Sequence, residues 1–137
     1  MAINTQFPIA VHIAAALGYR GGRDATSTLL AASVNTSPSF VRRVVAKLSR
    51  AGLVKTATGK AGACWLAKAA KDISLLDIYR AVDAPKAFSI HGSSEQKACP
   101  VSCHIKAALE NALAKTQQAM EKSLAETSLA QVIDDLR

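Results

Sequence analysis

The chain has 137 residues, of which 50% are hydrophobic and 4% aromatic. This predicts one soluble globular domain whose core is built from aliphatic side chains. The formal net charge of +7 is unevenly distributed: residues 1–71 hold ten Lys or Arg and one acidic residue, Asp24, whereas residues 72–137 hold seven basic and nine acidic residues. The need for a soluble surface does not explain why the first half has so many basic residues and a single acidic one. We therefore expect a surface in this half that binds a polyanion.

Neither an export signal nor a membrane span is predicted. The apolar run Phe7–Leu17 has no basic segment before it and is too short to cross a bilayer. The chain has three cysteines, an odd number, which argues against a disulfide framework. We therefore expect a cytoplasmic protein without a membrane partner.

The first part of the chain predicts three helices and a hairpin. A first helix spans Ile3–Tyr19, with Pro8 near its start and glycines at 18, 21 and 22 ending it. Thr26–Val34 forms the second helix, and Asn35-Thr36 makes the turn that follows. The third helix is predicted with Ser37 as N-cap, Pro38 at its first position and Gly52 just after its end, followed by strands Leu53–Thr56 and Ala63–Leu66 around a turn at 58–62.

Residues 26–66 therefore predict a helix-turn-helix followed by a two-stranded wing. On the third helix the aliphatic side chains fall on one side and the arginines on the other, as in a recognition helix whose N-terminal part reads the major groove. Arginines near that end can bind guanine, whereas later cations more often bind phosphate. The alternative is a solvated cationic face. The predicted DNA contacts are Thr26, Ser37, Ser39, Phe40, Arg42, Arg43, Lys47, Arg50, Lys55 and Lys60.

Trp65, in the second strand of the wing, has two possible roles. It can pack in the core at the base of the hairpin, which is the expectation, or it can stack on a base. The wing lysines are expected on the DNA backbone or in the minor groove.

The second half predicts a helix at Ser74–Val82, a loop at 84–98 and a long helix from Cys99-Pro100 to about Glu126, followed by a short terminal helix capped by Thr127-Ser128. The fold class is mainly α with a small β-hairpin. We expect a DNA-binding domain at 1–83, a linker at 84–98 and a dimerisation region at 99–137, together forming one structural unit.

An apolar stripe on the long helix needs a partner, because an isolated helix must bury such a stripe somewhere. A second copy of the chain is the expected partner, and the chain's own domain is the alternative. The predicted dimer contacts are Val101, Ile105, Leu109, Ala112, Leu113, Met120 and Leu124.

Cys99 and Cys103 are candidate redox sensors. Cys99 precedes Pro100 and is predicted to be the N-cap of the long helix, where the helix dipole favours a thiolate. Cys103 follows one turn later, so the pair can form a disulfide, become oxidised or supply two metal ligands. The alternative is a small buried Cys103 and an ordinary cap. Cys64 is expected to be structural, although a thiol of another subunit can also be its partner.

No catalytic residue is predicted. The sequence has no Ser, His and Asp grouping, no paired acids in a pocket-like context and no phosphate-binding glycine loop. A small thiol oxidoreductase would be the enzymatic alternative, but the chain lacks a C-x-x-C motif and a βαβ pattern. A winged-helix adaptor that binds protein instead of DNA is the other alternative.

Four stretches resemble one protein family: Ser33–Arg43 (SVNTSPSFVRR), Leu48–Val54 (LSRAGLV), Ile73–Asp83 (ISLLDIYRAVD) and Cys99–Val101 (CPV). They are similar to the BadM/Rrf family of bacterial winged-helix transcription regulators, whose members include an iron–sulfur cluster regulator, a nitric-oxide-sensing repressor and a cysteine-metabolism repressor. The resemblance covers nearly the whole chain and is closest to the subgroup with Cys-Pro-Val at the start of the dimer helix.

This resemblance implies a homodimeric repressor with crossed long helices that binds a palindromic operator and often senses through cysteine. Cluster-binding members have three cysteines in the loop and the start of the long helix, and in some an acidic residue on the first helix is the fourth ligand. Here that region has only Cys99 and Cys103, and Pro8 stands at the helix position, so neither a cluster nor another cofactor or metal is predicted. The family's wing often reads Arg-Gly-x-Gly-Gly-Gly-Tyr, whereas residues 58–64 read TGKAGAC, and Lys60 replaces the minor-groove arginine only in part.

Overall fold

The computed structural model describes residues 5–21, 23–57, 62–92 and 94–137. Within these ranges it contains six α-helices, one short 3-10 helix at Ala70–Asp72 and a two-stranded antiparallel sheet. This confirms the predicted fold class. The elements are α1 (Gln6–Tyr19), α2 (Ser27–Val34), α3 (Pro38–Arg50), β1 (Val54–Thr56), β2 (Cys64–Leu66), α4 (Leu75–Ala81), α5 (Pro100–Glu126) and α6 (Leu129–Asp134).

Helix α1 begins later than the sequence pattern predicted. Thr5 lies outside the helix as its N-cap, so the predicted start at Ile3 is wrong. Pro8 explains the difference, because it occupies the third helical position, where a missing backbone N–H costs nothing. A start at Ile3 would have moved Pro8 into the helix interior, where proline removes a hydrogen bond.

Gly18 does not end α1, contrary to the prediction, since the helix continues to Tyr19. Its role is close packing against α6: a Cβ on Gly18 would collide with Cδ1 of Ile133 and lie 3.3 Å from Cδ1 of Leu66. The lack of a side chain therefore lets α6 approach α1.

Two helices begin with a reciprocal capping box. Ser74 Oγ accepts a hydrogen bond from the Asp77 backbone N–H at 3.0 Å, and the Asp77 carboxylate accepts one from the Ser74 N–H at 2.9 Å. Ser128 and Gln131 form the same pair at α6. These caps satisfy N–H groups that have no partner inside the helix and so fix where α4 and α6 begin.

The wing is a short hairpin with one face toward the core. Val54 pairs with Leu66, Lys55 with Trp65 and Thr56 with Cys64. Because side chains alternate along a strand, Lys55 and Trp65 share the face opposite Val54 and Cys64, both of which are buried. Trp65 is half-buried and does not belong to the buried core, so its predicted core role is wrong.

The segment after α5 returns to the first part of the chain. The Leu129 N–H donates to the Ile73 carbonyl at 2.8 Å, and the Leu75 N–H donates to the Thr127 carbonyl at 2.9 Å. Leu129 and Ile133 are part of one core, which also contains residues of α1, α2, α3, α4 and both strands. The C-terminal segment therefore completes the core that supports the helix-turn-helix.

Helix α5 is 27 residues long and none of its residues is buried. Val101 is 67% exposed, and Ile105, Leu109 and Leu113 are half-buried. Its side-chain links to α4 are a hydrogen bond from Gln117 to Tyr79 and an ion pair between Arg80 and Glu121. In the part of the chain that the structure describes, no helix is both long and apolar enough to cross a membrane.

Candidate nucleic-acid interface

Side-chain caps begin both helices of the helix-turn-helix, and Asn35 ends the first. Thr26 Oγ1 accepts a hydrogen bond from the Leu29 N–H at 3.1 Å, and Ser37 Oγ accepts one from the Phe40 N–H at 3.2 Å. Asn35 adopts a left-handed conformation with φ of 65°, which asparagine tolerates better than most residues. Thr26 and Ser37, two predicted DNA contacts, therefore also act as helix caps.

Helix α3 divides into a buried side and an exposed side. Val41, Val44, Val45 and Leu48 are buried, as the helical spacing predicted. Ser39, Arg42, Arg43, Ala46 and Arg50 are exposed on the other side. The apolar side holds the helix against α1, α2 and α4, and the exposed side presents its polar and cationic groups outward.

Three of the cations on α3, Arg42, Arg43 and Lys47, have different local partners. The Arg43 guanidinium lies over the Phe40 ring, 5.4 Å from its centroid. Arg42 donates from Nη1 to Ser27 Oγ at 3.4 Å, and Lys47 donates from Nζ to Gln6 Oε1 at 3.3 Å.

Among the described residues, no carboxylate neutralises any of these cations. Within residues 5–21, 23–57, 62–92 and 94–137, the single ion pair joins Arg80 of α4 to Glu121 of α5, with 3.7 Å between Nη2 and Oε1. The charge of α3 is therefore available to an external anion.

The wing supplies one further described cation. Lys55 is exposed on β1, directly across from Trp65, so the outward face of the hairpin combines a positive charge with a half-buried indole. Lys60, the other predicted wing contact, lies outside the described residues.

Both candidate sensor thiols lie at the start of α5. Cys99 is the N-cap, as predicted, and its Sγ accepts a hydrogen bond from the Ser102 N–H at 3.4 Å. Cys103 Sγ donates to the Gln96 and Lys97 carbonyls at 3.5 and 3.6 Å. Cys99 also lines an open cleft of about 650 Å³ between the loop and α5, so small solutes can reach its surroundings.

Cys64 has a different environment, because only 1% of its surface is exposed. Burial, followed by the negative charge of Asp24, raises the pKa of its thiol from 9.0 to about 11. Its Sγ donates to the Ala25 carbonyl at 3.5 Å. A protonated, buried thiol is a poor nucleophile, which favours the structural role over pairing with another subunit.

A wide apolar groove of about 880 Å³ runs between α1, α2 and α6. It includes Tyr19, Leu29 and Leu136, three of the large hydrophobic side chains that are exposed in the single chain. Together with α5, it forms the main apolar surface left open on the described part of the molecule.

Sequence reasoning missed Ser27 and Gln6, which hold the cations Arg42 and Lys47 by hydrogen bonds across 15 and 41 residues of sequence. Nothing in the local pattern could have revealed these long-range partners, because they depend on how α1 and α2 pack against α3.

Comparison with known proteins identifies the family. Residues 3–135 match the model of the Rrf2 family, described as iron-dependent transcriptional regulators. The chain is 37% identical to the HTH-type transcriptional regulator YwnA of Bacillus subtilis, over 98% of each chain. It is 35% identical to a DNA-binding protein of known structure, covering 93% of this chain and 98% of the other with a TM-score of 0.73. The structure of CymR, the global cysteine regulator of B. subtilis, is 22% identical over 98% and 97% of the two chains, with a TM-score of 0.70, and supports the fold.

The family description mentions iron, so the metal-binding side chains of the described residues bear on whether an iron–sulfur cluster could be held. Such clusters are usually held by four cysteine thiolates, with histidine in some cases. Among the residues that the structure describes, no three His, Cys, Asp or Glu side chains are grouped so that they could hold a metal ion. Cys99 and Cys103 are a pair on one helix, and Cys64 is buried elsewhere beside Ala25.

Proposed function

This chain belongs to the Rrf2 family of transcriptional regulators, and we propose that it acts as a homodimeric repressor in which α3 reads the major groove and the wing holds the DNA backbone. The observation that carries the proposal is the exposed side of α3, where Arg42, Arg43 and Arg50 face outward without a carboxylate partner in the described residues. A recognition helix needs this arrangement, because base edges are read by side chains that the protein itself has not neutralised.

The contacts divide by position along α3. Ser37, Ser39, Arg42 and Arg43 lie in the N-terminal half, which inserts most deeply into a groove. Lys47, Arg50 and Lys55 lie farther along and are assigned to phosphates, which orient the protein without specifying sequence. Thr26 is at the N-terminus of α2, where N–H groups and the helix dipole favour a phosphate.

Two variants test this proposal. The operator would be identified by genomic footprinting of the tagged protein, and its affinity would then be measured by fluorescence anisotropy beside that of unrelated DNA of equal length. Arg43→Ala should lower operator affinity at least about tenfold, because each bidentate contact with guanine contributes about 1–3 kcal/mol. Lys122→Ala, which removes an exposed cation on α5, is the control and should bind like the wild type. Equal affinities of Arg43→Ala and wild-type protein would contradict the assigned role of α3.

The homodimer is proposed because the single chain leaves α5 without a buried residue. Val101, Ile105, Leu109 and Ala112 lie along one side of the helix, and the groove between α1, α2 and α6 offers a second apolar surface. A dimer built on α5 would bury the apolar side of that helix. It could also place the two recognition helices one turn of DNA apart, about 34–36 Å.

We assign the sensing role to Cys99. Peroxide would transfer an oxygen atom to its thiolate, forming a sulfenic acid and releasing water after proton uptake. The sulfur accepts the Ser102 N–H at the first turn of α5, so its oxidation would change the contact that begins this helix. Comparing operator affinity with and without peroxide tests the assignment. The wild type should lose affinity, Cys103→Ser should retain the response, and a Cys99→Ser variant that still responds fully would refute the role of Cys99.

We further propose that the protein acts in the cytoplasm, that it is not an enzyme and that it holds no resident iron–sulfur cluster. The two-thiol donor set at α5 supports the last point. Anaerobic incubation of the purified protein with iron and sulfide, followed by removal of unbound ions, should leave no visible chromophore. Stoichiometric retention of both elements would contradict it.

A further inference from the structure

Ser27 has an unusual environment at the beginning of α2. It is only 6% exposed and is the one polar residue in the buried class within the described part of the chain. The wing closes over it: Gly62 adopts a φ of +59°, and a Cβ at that glycine would lie 3.5 Å from Ser27 Oγ. A buried hydroxyl needs a hydrogen-bond partner, since burial without one is unfavourable.

Arg42 supplies this partner from the exposed side of α3. Its Nη1 donates to Ser27 Oγ at 3.4 Å. The guanidinium consequently lies at a cleft of about 420 Å³ between α3 and the wing, which Arg50 and Thr56 also line. A guanidinium has five N–H donors in a planar fork, so one contact to Ser27 leaves most of them open to another acceptor.

The two exposed arginines in the first half of α3 therefore have different supports. Arg43 lies over Phe40, a residue of its own helix, at 5.4 Å from the ring centroid. Arg42 is instead held from a different helix, across 15 residues of sequence. The hydrogen bond therefore links Arg42 to α2, whereas the contact between Arg43 and Phe40 stays within α3.

We propose that Ser27 is a positioning residue that orients Arg42 to recognise a guanine at one base pair in each half of the operator. The inference rests on the proposed function, because it requires α3 to read DNA. A side chain that is already oriented loses less conformational freedom on binding, and its planar fork matches the O6 and N7 acceptors of guanine. Ser27 itself is buried and does not touch the DNA.

The test is a double-mutant cycle with Ser27→Ala and Arg42→Ala. Affinity is measured for the operator, for operators changed at each base pair in turn, and for unrelated DNA. Ser27→Ala should weaken operator binding about three- to tenfold, the size expected for the net contribution of one hydrogen bond. It should leave unrelated DNA unaffected and relax preference at the same base pair as Arg42→Ala. In the Arg42→Ala background the Ser27 substitution should have no further effect.

The second variant is Arg42→Lys. Because residue 42 is exposed, this substitution should leave the fold of the protein intact. It keeps the positive charge and the ability to donate to Ser27 but lacks the planar fork. It should therefore retain the salt dependence of the wild type and prefer guanine less strongly, because an ammonium is a point charge without a fixed fork. A guanine preference equal to that of the wild type would overturn the inference.

Other outcomes separate this inference from the proposed function. The inference fails, and Ser27 is merely structural, if Ser27→Ala lowers the affinity for operator and for unrelated DNA by the same factor. It also fails if Ser27→Ala lowers operator affinity by the same factor in the wild-type and Arg42→Ala backgrounds. If Arg43→Ala abolishes operator recognition while Ser27→Ala changes nothing, α3 still reads DNA and only the positioning role is wrong. A wild-type protein that cannot distinguish the operator from unrelated DNA would overturn both.

Discussion

At the scale of the residue, three positively charged side chains on α3 differ in the contacts that hold them. Arg42 and Lys47 are held by Ser27 and Gln6, whereas Arg43 lies over Phe40. Their outward direction was predictable from helical spacing, because it follows from the burial of the aliphatic side. Their partners were not, because Ser27 and Gln6 come close only when three helices pack.

For the cysteines, too, the local structure was predictable from sequence but the long-range contacts were not. Cys99 was predictable as an N-cap because Pro100 follows it, and proline favours the first helical position. The burial of Cys64 was less evident from sequence. It depends on the bridge between Ala25 and Cys64, in which each backbone N–H donates to the other residue's carbonyl at 2.9 and 2.8 Å.

The buried Cys64 thiol predicts a pH dependence of stability. Its pKa is raised in the folded state, so the unfolded chain ionises first as the pH rises. The free energy of unfolding should therefore be fully retained below about pH 9 and fall between about pH 9 and about pH 11. The fall due to this residue should be on the order of 2–3 kcal/mol.

Urea unfolding of the wild type and Cys64→Ala under reducing conditions measures this effect, since the pH dependence of all other groups is common to both. The wild type should lose more stability than the variant across this range. Parallel pH profiles would show that the thiol ionises as easily in the folded protein as in the unfolded chain.

At the scale of the element, local side-chain chemistry decided the helix ends. Ser37, Ser74 and Ser128 each accept a backbone hydrogen bond from the residue three positions on, which makes the starts of α3, α4 and α6 predictable. The start of α1 was mispredicted because apolar spacing was followed past Pro8. Gly18 was mistaken for a terminator because a glycine required by a neighbouring helix looks, in sequence, like one that ends its own.

Helix α5 carries a prediction about assembly. Ala112 and Ala107 are both exposed in the single chain but lie on different sides of the helix, with Ala112 on the apolar stripe. Ala112→Glu should shift the protein toward monomer and reduce operator affinity, because burying an unpaired charge in an apolar interface is strongly unfavourable. Ala107→Glu makes the same chemical change away from the stripe and should behave like the wild type.

Sedimentation velocity at micromolar concentration would distinguish the two variants. Since both alanines are exposed, neither substitution should disturb the fold of one chain, and circular dichroism would verify this. A monomeric wild type, or identical sedimentation of all three proteins, would argue against an α5 dimer.

At the scale of the whole molecule, charge and core are distributed differently along the chain. Residues 1–71 hold ten basic residues and one acid, and the recognition helix and wing lie within them. The core, however, also needs α4 and α6, whose residues Ile78, Leu129 and Ile133 pack with those of α1 and α3. The basic half was predictable from composition, but the return of α6 to complete its core was not, because contacts so distant in sequence have no local signal.

The most direct test of the central claim is the salt dependence of operator binding, measured by anisotropy over a range of KCl concentrations. If Lys47, Arg50 and Lys55 of both subunits bind phosphates, the plot of log K against log salt should have a slope of about −5, from about six released counterions. Arg50→Ala should make this slope shallower by about 2, whereas Lys122→Ala, on exposed α5, should leave it unchanged. A nearly flat wild-type plot, or an Arg50→Ala slope equal to that of the wild type, would contradict the assignment of α3 and the wing as the DNA-binding surface.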